Sequence, residues 1–178
     1  MTISSRIRRA TVFGAAALTL SFGGLAAAVP AHAQTATPTI SYDPDYVAIC
    51  DPIWDINTTP GVEAFALPAG CMQITQPSSL TVNTGSGISM KLVVQGDGNF
   101  VLYVSTGKVW AANTRPGGYA ATFQGDGNLV VRNSSGTALW ASNTHTYPHA
   151  ILAFQTDGNL VIYPSTTDFH ALWASGTN

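Results

Sequence analysis

Apolar residues recur at every second position through Leu80–Asn178, in short runs interrupted by Gly, Pro, Asn, Asp or Ser about every ten residues. β-Branched and aromatic residues dominate the runs, which predicts strands joined by tight turns and argues against helix. Within Val93–Thr114, two runs flank the polar cluster Gln95-Gly96-Asp97-Gly98-Asn99. Asp-Gly between alternating apolar residues is a hairpin signal. On the return strand Phe100 and Leu102 fall on one face, and Asn99, Val101 and Tyr103 on the other.

The pattern returns twice. Gln95, Gln124 and Gln155 each open a Gln-x-Asp-Gly-Asn turn, and each copy runs on to a tryptophan: Trp110, Trp140 and Trp173. A period of about thirty residues marks three copies of one supersecondary unit. In the second copy Leu129 and Val131 oppose Asn128, Val130 and Arg132; in the third, Leu160 and Ile162 oppose Asn159, Val161 and Tyr163. The first set of each, with the three tryptophans, is the expected core. The other set leaves a polar row facing outward on every unit, which is more than a turn requires. Its chemistry suits a neutral, hydroxylated ligand. A carboxylate accepts from a hydroxyl, amides donate and accept, a tyrosine hydroxyl adds a partner, and valine methyls face the C–H patch of a sugar ring.

The beginning of the chain reads differently. Arg6, Arg8 and Arg9, an apolar run over Ala10–Val29 and then Ala31-His32-Ala33 form the pattern of an export signal over residues 1–33. A membrane anchor is the alternative; the small-residue cleavage pattern favours removal, with no membrane insertion afterwards and an extracellular destination. Removal leaves 145 of the 178 residues, with four Lys/Arg against nine Asp/Glu and a formal charge of −5. That balance argues against a nucleic-acid or anionic-membrane partner. Charged residues are 9% of the chain, against about 25% in ordinary soluble domains.

Residues 34–78 contain no repeat, are rich in proline, and hold both cysteines, Cys50 and Cys71. In an exported chain an isolated pair is expected to form one disulfide. A catalytic cysteine is the sharper reading, but this segment contains no histidine. All three motifs follow Leu80, so the segment is expected to be an irregular extension, dispensable for ligand binding and serving to cover a strand edge.

Gln-x-Asp-x-Asn-x-Val-x-Tyr, present as QGDGNFVLY and QTDGNLVIY and altered in QGDGNLVVR, resembles the sugar motif of the bulb-type (monocot) mannose-binding lectins. The resemblance covers residues 79–178, including the Trp-Ala-x-x-Thr ends. It implies an all-β fold, a β-prism II of three four-stranded sheets around a pseudo-threefold axis, with one groove per sheet for mannose or a mannosylated glycan. By position it assigns Asp97 and Asn99 to the axial 2-hydroxyl, Gln95 to the 3-hydroxyl, Tyr103 to the 4-hydroxyl and Val101 to the ring. Gln155, Asp157, Asn159, Val161 and Tyr163 match the same roles. Gln124, Asp126, Asn128 and Val130 match, but Arg132 replaces the tyrosine, so the middle site is expected to be weakened or lost.

The resemblance implies neither cofactor nor metal, and a homodimer is left open. Calcium needs six to eight oxygens, more than an Asp-Gly-Asn turn supplies. A glycosidase needs two carboxylates across one bond, whereas each groove has one Asp; Asp168 lies apart and the single Glu, Glu63, is in the extension. An enzyme is therefore not expected. His145, His149 and His170 lie in loops that differ between copies. The second functional reading is an antagonistic toxin, since lectin-like bacteriocins share this domain, although they carry two in tandem.

Overall fold

The computed structural model describes residues 38–59 and 62–178, and the expected export signal lies outside them. Every regular element among the described residues is a strand. The first five are β1 (Thr39–Tyr42), β2 (Val47–Ile49), β3 (Ile53–Thr59), β4 (Val62–Pro68) and β5 (Met72–Thr75). Sheet 1 then takes β6 (Ser78–Asn83), β7 (Ser89–Val94), β8 (Phe100–Val104) and β9 (Val109–Ala111). Sheet 2 takes β10 (Ala120–Phe123), β11 (Leu129–Arg132) and β12 (Ala138–Ala141), and sheet 3 takes β13 (Ile151–Gln155), β14 (Leu160–Tyr163) and β15 (Trp173–Ala174).

The three sheets are antiparallel, with strand orders β1-β6-β7-β8-β9, β12-β11-β10-β5-β2 and β15-β14-β13-β4-β3. This is the three-sheet prism that the repeat implies, with two corrections. Each sheet has five strands rather than four. Residues 39–75 are not an irregular extension: they supply β4 and β5, the partners of β13 and β10, and then one further edge strand per sheet. The sequence concealed this because these strands carry no repeat. They are recruited by pairing with distant strands, such as Phe154 with Phe65 and Phe123 with Met72.

The inward faces meet as expected. Phe100, Leu102, Leu129, Val131, Leu160 and Ile162 are fully buried in one apolar core. Trp110, Trp140 and Trp173, expected in the core, are half-buried against it and pack edge to face on one another, with ring centroids 5.1, 5.1 and 5.8 Å apart. Edge-to-face geometry is the favoured aromatic contact. Phe65, Leu67, Met72 and Ile74, from β4 and β5, belong to the same core.

Cys50 and Cys71 are disulfide-bonded, with Cα atoms 4.9 Å apart. The bond follows directly on the pairing of Ile49 with Met72 and fastens edge strand β2 to sheet 2. Replacing both cysteines by serine is expected to lower unfolding stability by about 3 kcal/mol in the chain-entropy account. A urea melt checks this, and an intact mass two hydrogens below the reduced value confirms the bond in the isolated protein.

Candidate functional site

Each Gln-x-Asp-Gly-Asn turn closes a hairpin in the same way. Gln95 N donates to Asn99 O at 2.9 Å and Gly98 N to Gln95 O at 2.9 Å, with equivalent bonds in the turns of Gln124 and Gln155. Asp97 Oδ1 accepts from Asn99 N at 2.9 Å, as Asp126 does from Asn128 and Asp157 from Asn159. Gly98, Gly127 and Gly158 have φ of 85°, 87° and 92°. A Cβ at Gly98 would also lie 2.7 Å from Pro116 O, so only glycine fits there.

The asparagine is less outward-facing than the alternation predicts. Asn99 is 9% exposed, and its Oδ1 accepts from Thr114 N at 3.1 Å. Asn128 Oδ1 accepts from Ser142 Oγ and Thr144 N, and Asn159 Oδ1 from Ser175 Oγ and Gly176 N. Thr114, Thr144 and Thr177 complete the clasp by donating from Oγ1 to the carbonyls of Gly98, Gly127 and Gly158, at 2.8, 2.6 and 2.8 Å. These threonines support the site without belonging to the motif. Their signal in the sequence is the constant placement of Thr four residues after each Trp.

Turn and clasp together use one Asp oxygen and the Asn carbonyl. The second Asp oxygen and the Asn amide N–H groups stand beside the Gln and the valine, and the setting of these groups differs among the three grooves.

In groove 1, on sheet 1, Gln95 Nε2 donates to Tyr103 Oη at 2.8 Å, Asp97 is exposed, and Tyr103 is 40% exposed above a buried Val101. Groove 2, on sheet 2, has no such pair: Arg132 turns to its own hairpin and donates from Nη1 to Gly136 O at 3.0 Å. Groove 3, on sheet 3, repeats the Gln155–Tyr163 bond at 3.0 Å, but Gln155 is 3% and Tyr163 5% exposed.

Groove 3 thus differs from groove 1 despite its identical motif: Gln155 and Tyr163 are buried, while Asp157 and Asn159 stay half-buried. A second apolar cluster covers the outer face of sheet 3, joining Ile56 of β3 and Ala64 of β4 to Ala153, Val161 and Tyr163. Phe169 stands edge-on to Tyr163, with centroids 5.5 Å apart. Edge strand β3 reaches this position through two register shifts against β4; such irregularities bend a strand. The sequence held one signal: Ile151, Leu152, Ala153 and Phe154 are apolar on both faces, the mark of a strand covered on both sides.

The histidine loops stand apart from this chemistry. His170 Nδ1 lies 2.7 Å from Asp168 Oδ1 on the surface. Side-chain and backbone hydrogen bonds from His170 hold the Asp168 carboxyl below its usual range. A shallow cleft lined by Ile53, Pro68, His149 and Ile151 coincides with none of the three polar turns.

A three-sheet prism with one polar hairpin per sheet defines the class: a β-prism II lectin, a carbohydrate-binding protein and not an enzyme. Comparison with known proteins agrees. The chain is 43% identical over 93 residues to a mannose-specific lectin of Aloe arborescens, covering 49% of this chain and 79% of that protein. It is 32% identical over 109 residues to the B-type lectin plumieribetin of Scorpaena plumieri, covering 60% and 90%. Among solved structures, a Japanese Marasmius oreades lectin superposes with a TM-score of 0.53 at 28% identity, over 63% of this chain and 90% of that one. No family model matches. The chain belongs to the bulb-type mannose-binding lectin family.

Proposed function

We propose that this is an exported lectin that binds mannose or mannose-terminated glycans, chiefly through groove 1. The observation that carries the reading is the open Gln95–Tyr103 pair beside the exposed Asp97 carboxylate. The free oxygen of Asp97 and the Asn99 amide take the 2-hydroxyl, Gln95 the 3-hydroxyl, Tyr103 the 4-hydroxyl, and Val101 the ring C–H groups. Aloe arborescens lectin, 43% identical, is described as mannose-specific. Export rests on the Arg-rich start, apolar run and Ala31-His32-Ala33 of residues 1–33. No helix among the described residues is long and apolar enough to cross a membrane.

A glycan array probed with residues 34–178 is expected to retain mannose-terminated glycans and to release them to free methyl α-mannopyranoside. Retention of none of them, or retention that free mannoside does not compete, would refute this assignment.

A further inference from the structure

The geometry points to Gln76 as a positioning residue of groove 1: a side chain from outside the repeats that fixes the backbone between Gln95 and Asp97 and so sets the groove for its sugar. This rests on the reading of groove 1 as a mannoside site and adds to it a residue that the motif does not contain.

Gln76 stands where the chain crosses between sheets, one residue after β5 of sheet 2 and two before β6 of sheet 1. Its backbone N–H donates to Tyr119 O at 2.8 Å, which ties the crossing to the residue ahead of β10. From that anchor the side chain reaches the groove 1 hairpin, where Nε2 donates to Gln95 O and to Gly96 O, both at 2.8 Å. Both partners are carbonyl oxygens, so only the amide nitrogen can face them.

The two bonds fall on the loosest link of the ligand row. Gln95 is held on one side by its bond to Tyr103 Oη, and Asp97 on the other by its bond from Asn99 N. Between them lies Gly96, where even a Cβ would meet nothing within 4 Å. Glycine leaves the backbone free to rotate, and rotation at Gly96 shifts Asp97 relative to Gln95. Holding the carbonyls of Gln95 and Gly96 fixes the peptide planes on both sides of that glycine. Gln95 O also accepts from Gly98 N at 2.9 Å, so the clamp acts on the same carbonyl that closes the turn.

Groove 2 is built without this clamp. Among the described residues no side chain donates to the carbonyl of Gln124 or Gly125. Gly70 lies against Gly125 instead, and its N–H donates to Phe123 O at 3.0 Å. The benefit in groove 1 is preorganisation: a sugar that bridges Gln95 and Asp97 needs them at a set separation, and ordering a loose turn on binding costs affinity.

The test measures methyl α-mannopyranoside affinity by isothermal titration on residues 34–178 carrying Gln76→Ala, Gln76→Glu or Gln73→Ala. Gln73, exposed on β5 opposite Thr122, is the control. Gln76→Ala is expected to weaken affinity about tenfold. Gln76→Glu at neutral pH weakens it further, because a carboxylate keeps the shape of the amide but turns an acceptor toward two carbonyls. Gln73→Ala leaves it unchanged. Amide hydrogen exchange locates the effect: with Gln76→Ala the Gly98 N–H is expected to exchange about tenfold faster, and the Gly127 N–H at the native rate.

Native affinity in Gln76→Glu, which fills the same space without donating, means that the side chain only packs, and overturns the inference. So does a loss that Gln73→Ala shares, or equal acceleration of exchange at Gly98 and Gly127, since either marks general loosening. Gln76→Ala adds no charge and decides the matter where the carboxylate variant does not fold. Failure of the native chain to bind methyl α-mannopyranoside overturns the mannose reading instead, and the exchange rates at Gly98 and Gly127 then decide the positioning role by themselves.

Discussion

A fragment beginning at Leu80 is expected not to fold, although it contains all three motifs and the three mutually packed tryptophans. It lacks β4 and β5, and with them Phe65, Leu67, Met72 and Ile74, which are 3%, 0%, 2% and 0% exposed in the intact chain. Burying each such side chain contributes about 1.5–3 kcal/mol, so their loss is comparable to the whole stability of about 5–15 kcal/mol of an ordinary domain. The cut also strips hydrogen-bonded partners from β10 and β13, leaving two unprotected strand edges that invite aggregation. Near-ultraviolet circular dichroism of Leu80–Asn178 is expected to lack the tryptophan signature of residues 34–178. A fragment that unfolds cooperatively and binds mannoside would show that β4 and β5 are accessory.

The second large effect concerns the grooves. Asp97→Ala is expected to remove nearly all binding of neutral mannosides, whereas Asp157→Ala, at an identical motif, is expected to change it little. On the proposed assignment, removing Asp97 deletes a charge-assisted hydrogen bond of about 1.5–3 kcal/mol, about ten- to hundredfold in affinity, in the groove where the Gln95–Tyr103 pair and Asp97 are accessible. Groove 3 has Gln155 and Tyr163 beneath the β3 cover, and groove 2 has Arg132 where the neutral sites have tyrosine. Isothermal titration against methyl α-mannopyranoside checks the order of the variants. Comparable losses from Asp97→Ala and Asp157→Ala would mean that β3 leaves groove 3 whenever sugar is present.

The contrast between Asp97 and Asp157 marks the limit of the repeat as a source of information. The sequence by itself determined the three units, the hairpin turns, the inward face ending at the tryptophans and the outward row of candidate ligands. These follow from local periodicity and turn chemistry, which act within about thirty residues. It also determined the disulfide, since two cysteines in one chain leave one pairing.

Only the tertiary structure decided what lies beside each unit. β4 and β5 are invisible as members of the prism because pairing Phe154 with Phe65 and Phe123 with Met72 joins segments 89 and 51 residues apart, and no local signal encodes such a partner. The same holds in part for groove 3: Tyr103 and Tyr163 occupy equivalent places in equivalent motifs, and exposure falls from 40% to 5% at Tyr163, where Phe169 stands against it and Ile56 and Ala64, from another part of the chain, join its cluster. The asparagines show a milder case. Their polarity pointed outward, but the need to hold the backbone of the following Trp-Ala-x-x-Thr end turned one side of each amide inward. Local patterning sets which face a side chain takes; burial depends on what the rest of the chain brings to that face.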